Sequence, residues 1–414
     1  MTVLAVGQEE TWPDITAVPR PGLRSAVARR LFAHAAARLP VTVVQGDEPG
    51  PPPICERPVL RILRPERFHA RLGAAGLIGF GESYMAGEWE CDDLPGVLTA
   101  FAEQMSTLVP PSLQRLRRFA VLRSPAGTTG DRAGARRNAG HHYDLSNELF
   151  ALFLDETMTY SAALFDRRDA CHGRDLAGAQ HRKIDRLLDR TGVGPGTRVL
   201  EIGTGWGELA LRAGRRGAQV RSLTLSTEQR DLALARIAEA GLADRVRVDL
   251  CDYRDAEGTH DAVLSVEMIE AVGERHWPEY FRTLRRLLAP GGRAGLQAIT
   301  MPHDRMLATR DTHTWIQKYI FPGGFLPSVR AIEEHAADAG LRTADVFEFG
   351  GDYALTLRLW RERFLAVEED VAALGFDAVF RRMWELYLAY SEAGFRSGYL
   401  DVGQFLLTPA EDRP

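Results

Sequence analysis

The sequence predicts an α/β fold with a parallel sheet, and three observations carry that prediction. Strand-like runs over 197–203, 218–226, 245–251, 260–267 and 292–299 alternate with helical patterns over 207–216, 228–241 and 275–289. Strands alternating with helices build βαβ units and hence a parallel, Rossmann-like sheet. The run Val199-Leu200-Glu201-Ile202-Gly203-Thr204-Gly205-Trp206-Gly207 then ends a β-branched strand in alternate glycines, just ahead of the helical Leu209-Ala210-Leu211-Arg212. Finally, the predicted strand ends carry glycine or polar residues: Gly203–Gly207, Thr224–Gln229, Cys251–Arg254, Glu267–Glu270 and Gln297. In open α/β sheets ligands sit beyond those carboxyl ends.

A smaller α+β domain over 21–114 precedes this sheet. Residues 1–20 read as a loose tail, and 25–39 (SAVARRLFAHAAARL) follow a helical pattern. Pro49-Gly50-Pro51-Pro52-Pro53 breaks the chain, after which 59–63 read as a strand. A basic linker follows at 115–140, with seven arginines and one aspartate between Arg115 and Arg137, around the turn-forming 124–130. Such a segment is either a solvated connector or a contact for anionic lipid headgroups, where each basic residue adds about 1 kcal/mol. The remaining 141–414 form the sheet domain, with helical material over 353–373 and 377–394 suited to a lid.

Composition narrows the function classes. The 414 residues hold 51 Lys and Arg against 56 Asp and Glu, a formal charge of −5, so nothing global points to nucleic acid. The cysteines Cys55, Cys91, Cys171 and Cys251 form no C-x-x-C pair, which favours a reducing compartment over a disulfide or zinc framework. Met1–Pro13 lack a basic-then-apolar leader pattern, and no apolar run approaches the about 20 residues that span a bilayer. A cytoplasmic protein is expected, with any membrane contact peripheral to the inner face.

The glycine turn suggests the cofactor. Its spacing is G-x-G-x-G rather than the G-x-G-x-x-G of dinucleotide sites, with Glu201 just before it. Glycines let a ligand approach bare backbone N–H groups. An acid beside them suits a cationic amino-acid tail, which S-adenosylmethionine has, better than a pyrophosphate. An ordinary Gly-rich β–α turn is the alternative reading. Gln229 stands where an acid commonly meets the ribose hydroxyls, Asp252-Tyr253 suit adenine, and Ser226 is also a plausible helix N-cap.

Several segments together extend this reading: His142-Tyr143-Asp144-Leu145-Ser146-Asn147, Thr159-Tyr160-Ser161, Glu201–Gly207, Thr224-Leu225-Ser226-x-x-Gln229, Glu270-Ala271-Val272-Gly273, Ile320-Phe321-Pro322-Gly323-Gly324-x-Leu326-Pro327-Ser328 and Phe395-Arg396-x-Gly398-Tyr399-x-Asp401-Val402-x-Gln404-Phe405. With Gly81-Glu82-Ser83-Tyr84-Met85-x-Gly87-x-Trp89 in the smaller domain, the chain over roughly 60–406 resembles the cyclopropane-fatty-acid synthase family. The resemblance implies a class I S-adenosylmethionine-dependent methyltransferase that modifies the cis alkene of a phospholipid acyl chain at a membrane surface, and it hints at a homodimer. It places the cofactor against Tyr160, Ser161, the turn of Gly203, Gly205, Trp206 and Gly207, and the loop with Thr224, Ser226 and Gln229.

Methyl transfer to an alkene leaves a carbocation, which aromatic faces stabilise and a base must quench. The resemblance implies bicarbonate as that base, held by a Glu, a His, a Tyr and cysteine-bearing loops. Glu270 and Tyr353 match, with Glu270 expected to orient the base. Three positions depart: Ala162 and Ser391 stand for cysteines and Gln297 for the histidine, while Glu267 replaces a small residue. Gln297 can still donate to an anion and Ser391 can still hydrogen-bond, so these departures leave room for a small-anion site. Proton loss from the transferred methyl closes a cyclopropane; after a hydride shift it leaves an exocyclic methylene. The competing functions are a methyltransferase of a small soluble acceptor and a non-catalytic binder of S-adenosylmethionine or lipid.

Overall fold

In the computed structural model of the chain, residues 11–46, 57–104, 146–166 and 175–410 are described. The basic segment at 115–140, Pro49–Pro53 and Tyr143 lie outside them. The chain divides into two units, one from the described part of Met1–Ser124 with Asp311–Ile320 and Phe364–Tyr399, the other from the described part of Pro125–Arg310, Phe321–Arg363 and Leu400–Pro414.

The first unit builds on a three-stranded sheet of β1 (Thr42–Gln45), β2 (Val59–Ile62) and β3 (Trp89–Cys91), in that order, with β1/β2 parallel and β2/β3 antiparallel. Pro13–Thr16, expected as loose tail, form a short helix, because Pro13 at its first turn presets φ for helix entry. The helix Leu23–Ala36 buries Ala28 and Phe32, and the Phe32 ring meets Phe68 edge-on at 5.0 Å. Asp93 caps the helix Leu94–Glu103 by accepting from Gly96 N, and Asp377 caps Ala378–Arg396 by accepting from Phe380 N. Trp89 and Trp384 lie fully buried in this unit. So does the Arg71–Glu88 ion pair at 3.0 Å, whose arginine also donates to the carbonyls of Asp14 and Ile15.

The second unit carries a seven-stranded sheet. Its strands are β4 (Arg198–Ile202), β5 (Gln219–Thr224), β6 (Val246–Leu250), β7 (His260–Val266), β8 (Leu288–Thr300), β9 (Leu341–Glu348) and β10 (Asp401–Pro409), in the order β6-β5-β4-β7-β8-β10-β9. β4 to β8 are parallel; β10 runs antiparallel between β8 and β9. The five expected strands and the helices Glu208–Arg215, Thr227–Glu239 and Trp277–Leu287 fall within a few residues of the predicted bounds. Central β4 is buried after its first residue, as a strand covered on both faces must be. Strand order runs outward from β4 in both directions, so a topological switch point opens between β4 and β7 at their carboxyl ends. Among the described residues no helix is long and apolar enough to cross a membrane.

Candidate active site

The turn after β4 holds Gly203, Gly205 and Gly207 at φ of 97°, 52° and 91°. A Cβ on Gly207 would lie 3.0 Å from Ala233 Cβ, so this glycine lets two helices approach. A Cβ on Gly205 would meet nothing within 4 Å, so the backbone there faces open space. Behind the turn Glu201 is buried, and its Oε2 accepts from Ser222 Oγ at 2.5 Å. Burial pushes its carboxyl up to about 8, opposed by the Ser222 hydrogen bond and the charge of Lys183. An open glycine turn backed by a buried acid fits the cationic amino-acid end of S-adenosylmethionine, whose ammonium would supply the missing counter-charge.

The neighbouring expected residues are placed as follows. Thr224 donates to Gln229 Oε1 at 2.9 Å, and Ser226 caps the helix Thr227–Glu239 by accepting from Gln229 N. Trp206 buries its indole against Phe150 and donates to Asn147 Oδ1 at 2.7 Å, leaving its backbone to the turn. The Asp252 carboxylate is gripped by Arg254 through Nε at 2.8 Å and Nη2 at 2.6 Å, which fixes the turn carrying Tyr253 against Tyr280. Tyr160 packs tilted against Trp360 and edge-on to Phe150, at 5.2 and 5.1 Å between centroids. Ser161 is clamped by one face of the helix Leu176–Thr191: Gln180 Nε2 donates to its carbonyl at 2.8 Å and Lys183 Nζ to its Oγ at 2.7 Å. Desolvation pushes buried Lys183 down to about 8, against the pull of Glu267, Asp155 and Glu201.

At the end of β7 a carboxylate sits among convergent donors. Glu267 Oε1 accepts from Ala162 N at 2.9 Å and Gln297 Nε2 at 2.8 Å, and its Oε2 accepts from Tyr353 Oη at 2.7 Å. Its backbone takes φ +50°, a left-handed conformation that costs a non-glycine residue about 1 kcal/mol. That strain is held by the hydrogen bond from Glu267 N to Gln297 O at 2.7 Å. Three residues on, Glu270 Oε1 accepts from Ile299 N at 2.6 Å, and its buried Oε2 has no hydrogen-bond partner. Burial, reinforced by the Glu267 charge, pushes Glu270 up to about 8. Burial also raises Glu267, but its donors and Lys183 oppose the rise. Of these two neighbouring carboxyls, Glu267 is the one whose surroundings favour the charged form, because donors and a cation face it, whereas a like charge raises Glu270 further.

The structure therefore brings Tyr353 and Gln297 onto Glu267 rather than onto Glu270. Ser391 lies on the helix Ala378–Arg396 of the first unit, so the second unit by itself does not supply it. The sequence places Glu267 among the polar strand ends and as a departure from the resemblance, without a role in catalysis, and does not single out Gln180 or Lys183. The signal available for those two was their placement, three residues apart, on the apolar side of a helical pattern.

Comparisons with known proteins show the family and the fold. The model of the family "mycolic acid cyclopropane synthetase" matches residues 131–405. The chain is 55% identical to the tuberculostearic acid methyltransferase UfaA1 of Mycobacterium tuberculosis, over 98% of this chain and 97% of that one. It is 35% identical to the cyclopropane-fatty-acyl-phospholipid synthase of Escherichia coli, over 84% and 87% of the respective chains. Among solved structures it is similar to the mycolic acid cyclopropane synthase CmaA1 complexed with SAH and CTAB, with a TM-score of 0.60 and 33% identity over 66% of this chain and 97% of the other.

Proposed function

The chain belongs to the mycolic acid cyclopropane synthetase family, with its class I S-adenosylmethionine-dependent methyltransferase fold, and on that premise we propose that it methylates the cis double bond of an unsaturated phospholipid acyl chain, with Glu267 taking the final proton. S-adenosylmethionine supplies the methyl as an electrophile. An alkene is a feeble nucleophile with no proton to remove first, so holding the reactants in line is the main lever. The alkene π pair forms the new C–C bond, the S–CH3 pair goes to sulfur, and the adjacent chain carbon becomes a cation. A 1,2-hydride shift moves the charge to the methylated carbon. Loss of a methyl proton to Glu267 then leaves an exocyclic methylene, the C–H pair becoming the double bond and the carboxylate a neutral acid.

The observation that carries this reading is the Glu267 carboxylate set among Tyr353, Gln297 and the Ala162 N–H. It has the charge and O–C–O shape of the bicarbonate that the resemblance implies, so the protein holds its own base in place of a borrowed anion. The methylene outcome is favoured over ring closure because the relative similar over nearly the whole chain is named a methyltransferase. A lipid surface as the source of substrate is supported by the helix Leu23–Ala36, which exposes Leu23, Val27 and Leu31 in a stretch with Arg20, Arg24, Arg29, Arg30 and Arg38 and no acid from 17 to 46. The reading places the protein at the cytoplasmic face of the membrane.

Incubation with S-adenosylmethionine and vesicles of a cis-monounsaturated phospholipid, followed by proton NMR of the recovered chains, tests this. Vinylidene signals are expected. Glu267→Gln should lower turnover about a hundredfold or more, the usual worth of a positioned base, while S-adenosylhomocysteine still binds. High-field ring-methylene signals would move the product to a cyclopropane, and full turnover by Glu267→Gln would remove Glu267 as the base. An untouched alkene would sink the acyl-chain reading and bring a small soluble acceptor forward.

A further inference from the structure

Behind Glu267 a line of side-chain hydrogen bonds crosses two strands. Gln297 on β8 and Gln404 on β10 face each other in register, and both are buried. Gln404 Nε2 donates to Gln297 Oε1 at 3.1 Å and to the carbonyl of Lys183 at 3.0 Å. Gln404 Oε1 accepts from Arg186 Nη1 at 2.8 Å. Arg186 lies over the Phe347 ring with its carbon 3.9 Å from the centroid, within 3.5 Å of Asp345, which also pairs with Arg190 at 2.8 Å.

An amide side chain has a donor end and an acceptor end, and nothing intrinsic says which way it faces. A guanidinium has donors only, and it keeps its charge at any working pH. Gln404 must therefore turn its oxygen to Arg186 and its nitrogen to the Lys183 carbonyl and to Gln297. Gln297 must then turn its oxygen to Gln404 and its nitrogen to Glu267. We infer that Arg186 is a positioning residue that, through Gln404 and Gln297, holds a donor on Glu267 and so favours the charged form of that carboxyl. The aligned amide dipoles carry part of the cation's field inward, each hydrogen bond strengthening the next. This inference rests on Glu267 as the base.

The other groups facing Glu267 are Tyr353 from the helix Gly350–Ala366, Glu270 from the short helix Ile269–Val272, the Ala162 N–H, and the charge of Lys183 from the helix Leu176–Thr191. Tyr353, the N–H and Lys183 favour the ionised form, and Glu270 once ionised disfavours it. None of them is bonded to the Arg186 guanidinium, so the Arg186 contribution can be isolated. Asp345 and Arg190 flank Arg186 itself, and Arg190 keeps Asp345 paired.

The test is single-turnover kinetics against pH with the full chain and unsaturated phospholipid vesicles, for Arg186→Met, Arg186→Lys, Gln297→Ala and the double variant Arg186→Met with Gln297→Ala. Arg186→Met should move the acid limb of the rate upward by about one pH unit, the scale on which one hydrogen bond shifts a carboxyl. The dissociation constant of S-adenosylhomocysteine should stay within about twofold of the unaltered protein, since the Arg186 guanidinium contacts Gln404, Asp345 and Phe347 and not the glycine turn. Arg186→Lys, still a donor-only cation, should restore most of the limb. The double variant should shift no further than Gln297→Ala alone. If Gln297→Ala moves the limb and Arg186→Met does not, the relay is wrong while the base assignment stands. If Arg186→Met only lowers the melting temperature, its role is structural and the inference falls. Full turnover by Glu267→Gln would instead strike the base assignment on which the relay depends.

Discussion

Glu267 and Glu270 are the same residue type three positions apart, and their surroundings assign them opposite tasks. Glu267 has three donors and a nearby ammonium; Glu270 has one backbone N–H and an unpartnered buried oxygen. The Glu270 value of about 8 lies above the ordinary 4.5. The fold therefore holds a proton that the unfolded chain releases, a contribution fully present below about pH 4.5 and lost as pH rises through about 8. Glu270→Gln keeps an acceptor for Ile299 N without the ionisation, so its melting temperature should hold up better than the parent's between pH 5 and 8. Parallel melting curves would refute the assignment. Because Gln mimics the neutral acid, turnover near pH 7 should fall at most about tenfold for Glu270→Gln, against a hundredfold for Glu267→Gln. Equal losses would mean that Glu270 is the working base. Little of this division was legible in the sequence. Glu270 and Tyr353 stood out by resemblance and Glu267 as an odd replacement. That three donors from β8, a loop and a distant helix converge on Glu267 is a fact of tertiary packing that no local spacing encodes.

At the level of elements, the glycine turn makes two residues of one motif answer to different demands. Gly205 has open space where a Cβ would go, and Gly207 has Ala233 at 3.0 Å. Gly205→Ala should thus act on the ligand: an affinity loss of about tenfold for S-adenosylhomocysteine by calorimetry, from the left-handed strain of about 1 kcal/mol and the intruding methyl. Its melting temperature should change little. Gly207→Ala should act on the fold, lowering the melting temperature by several degrees as two helices are pushed apart. The same order of effects in both variants would sink the distinction. The five parallel strands were readable because their apolar runs and polar ends repeat. β9, with Ala344 and Asp345 in mid-strand, and β10, with Gly403 and Pro409, were not. The helix Leu176–Thr191 was also passed over, since Gln180 and Lys183 interrupt its buried face. The site requires those polar residues there, so sequence rules fail at a functional position, as they commonly do.

On the scale of the whole molecule, charge is distributed against the average. The chain carries a formal charge of −5, yet residues 17–46 hold five arginines and no acid. On the helix Leu23–Ala36 three of these arginines, Arg24, Arg29 and Arg30, are exposed together with Leu23, Val27 and Leu31, which are spaced four apart and 84%, 49% and 42% exposed. Isolated exposed leucines need no explanation, but an apolar row flanked by arginines has the composition of a helix that lies in a headgroup layer. Each arginine near an anionic surface adds about 1 kcal/mol, and each apolar side chain entering the acyl boundary adds a comparable amount. Leu23→Glu combined with Leu31→Glu removes two exposed apolar side chains and, on the proposed reading, would set two negative charges against the anionic surface. Because both positions are exposed, the melting temperature should not move by more than a degree or two. Co-sedimentation with vesicles containing phosphatidylglycerol should fall by at least about tenfold, and binding of the parent should weaken as salt rises. Turnover should drop on vesicles yet persist on the same lipid dispersed in detergent micelles, where no bilayer has to be found. Undiminished vesicle binding by the double variant would place the membrane contact elsewhere on the molecule. A loss of turnover in micelles as well would mean that this helix serves the chemistry rather than the encounter with lipid.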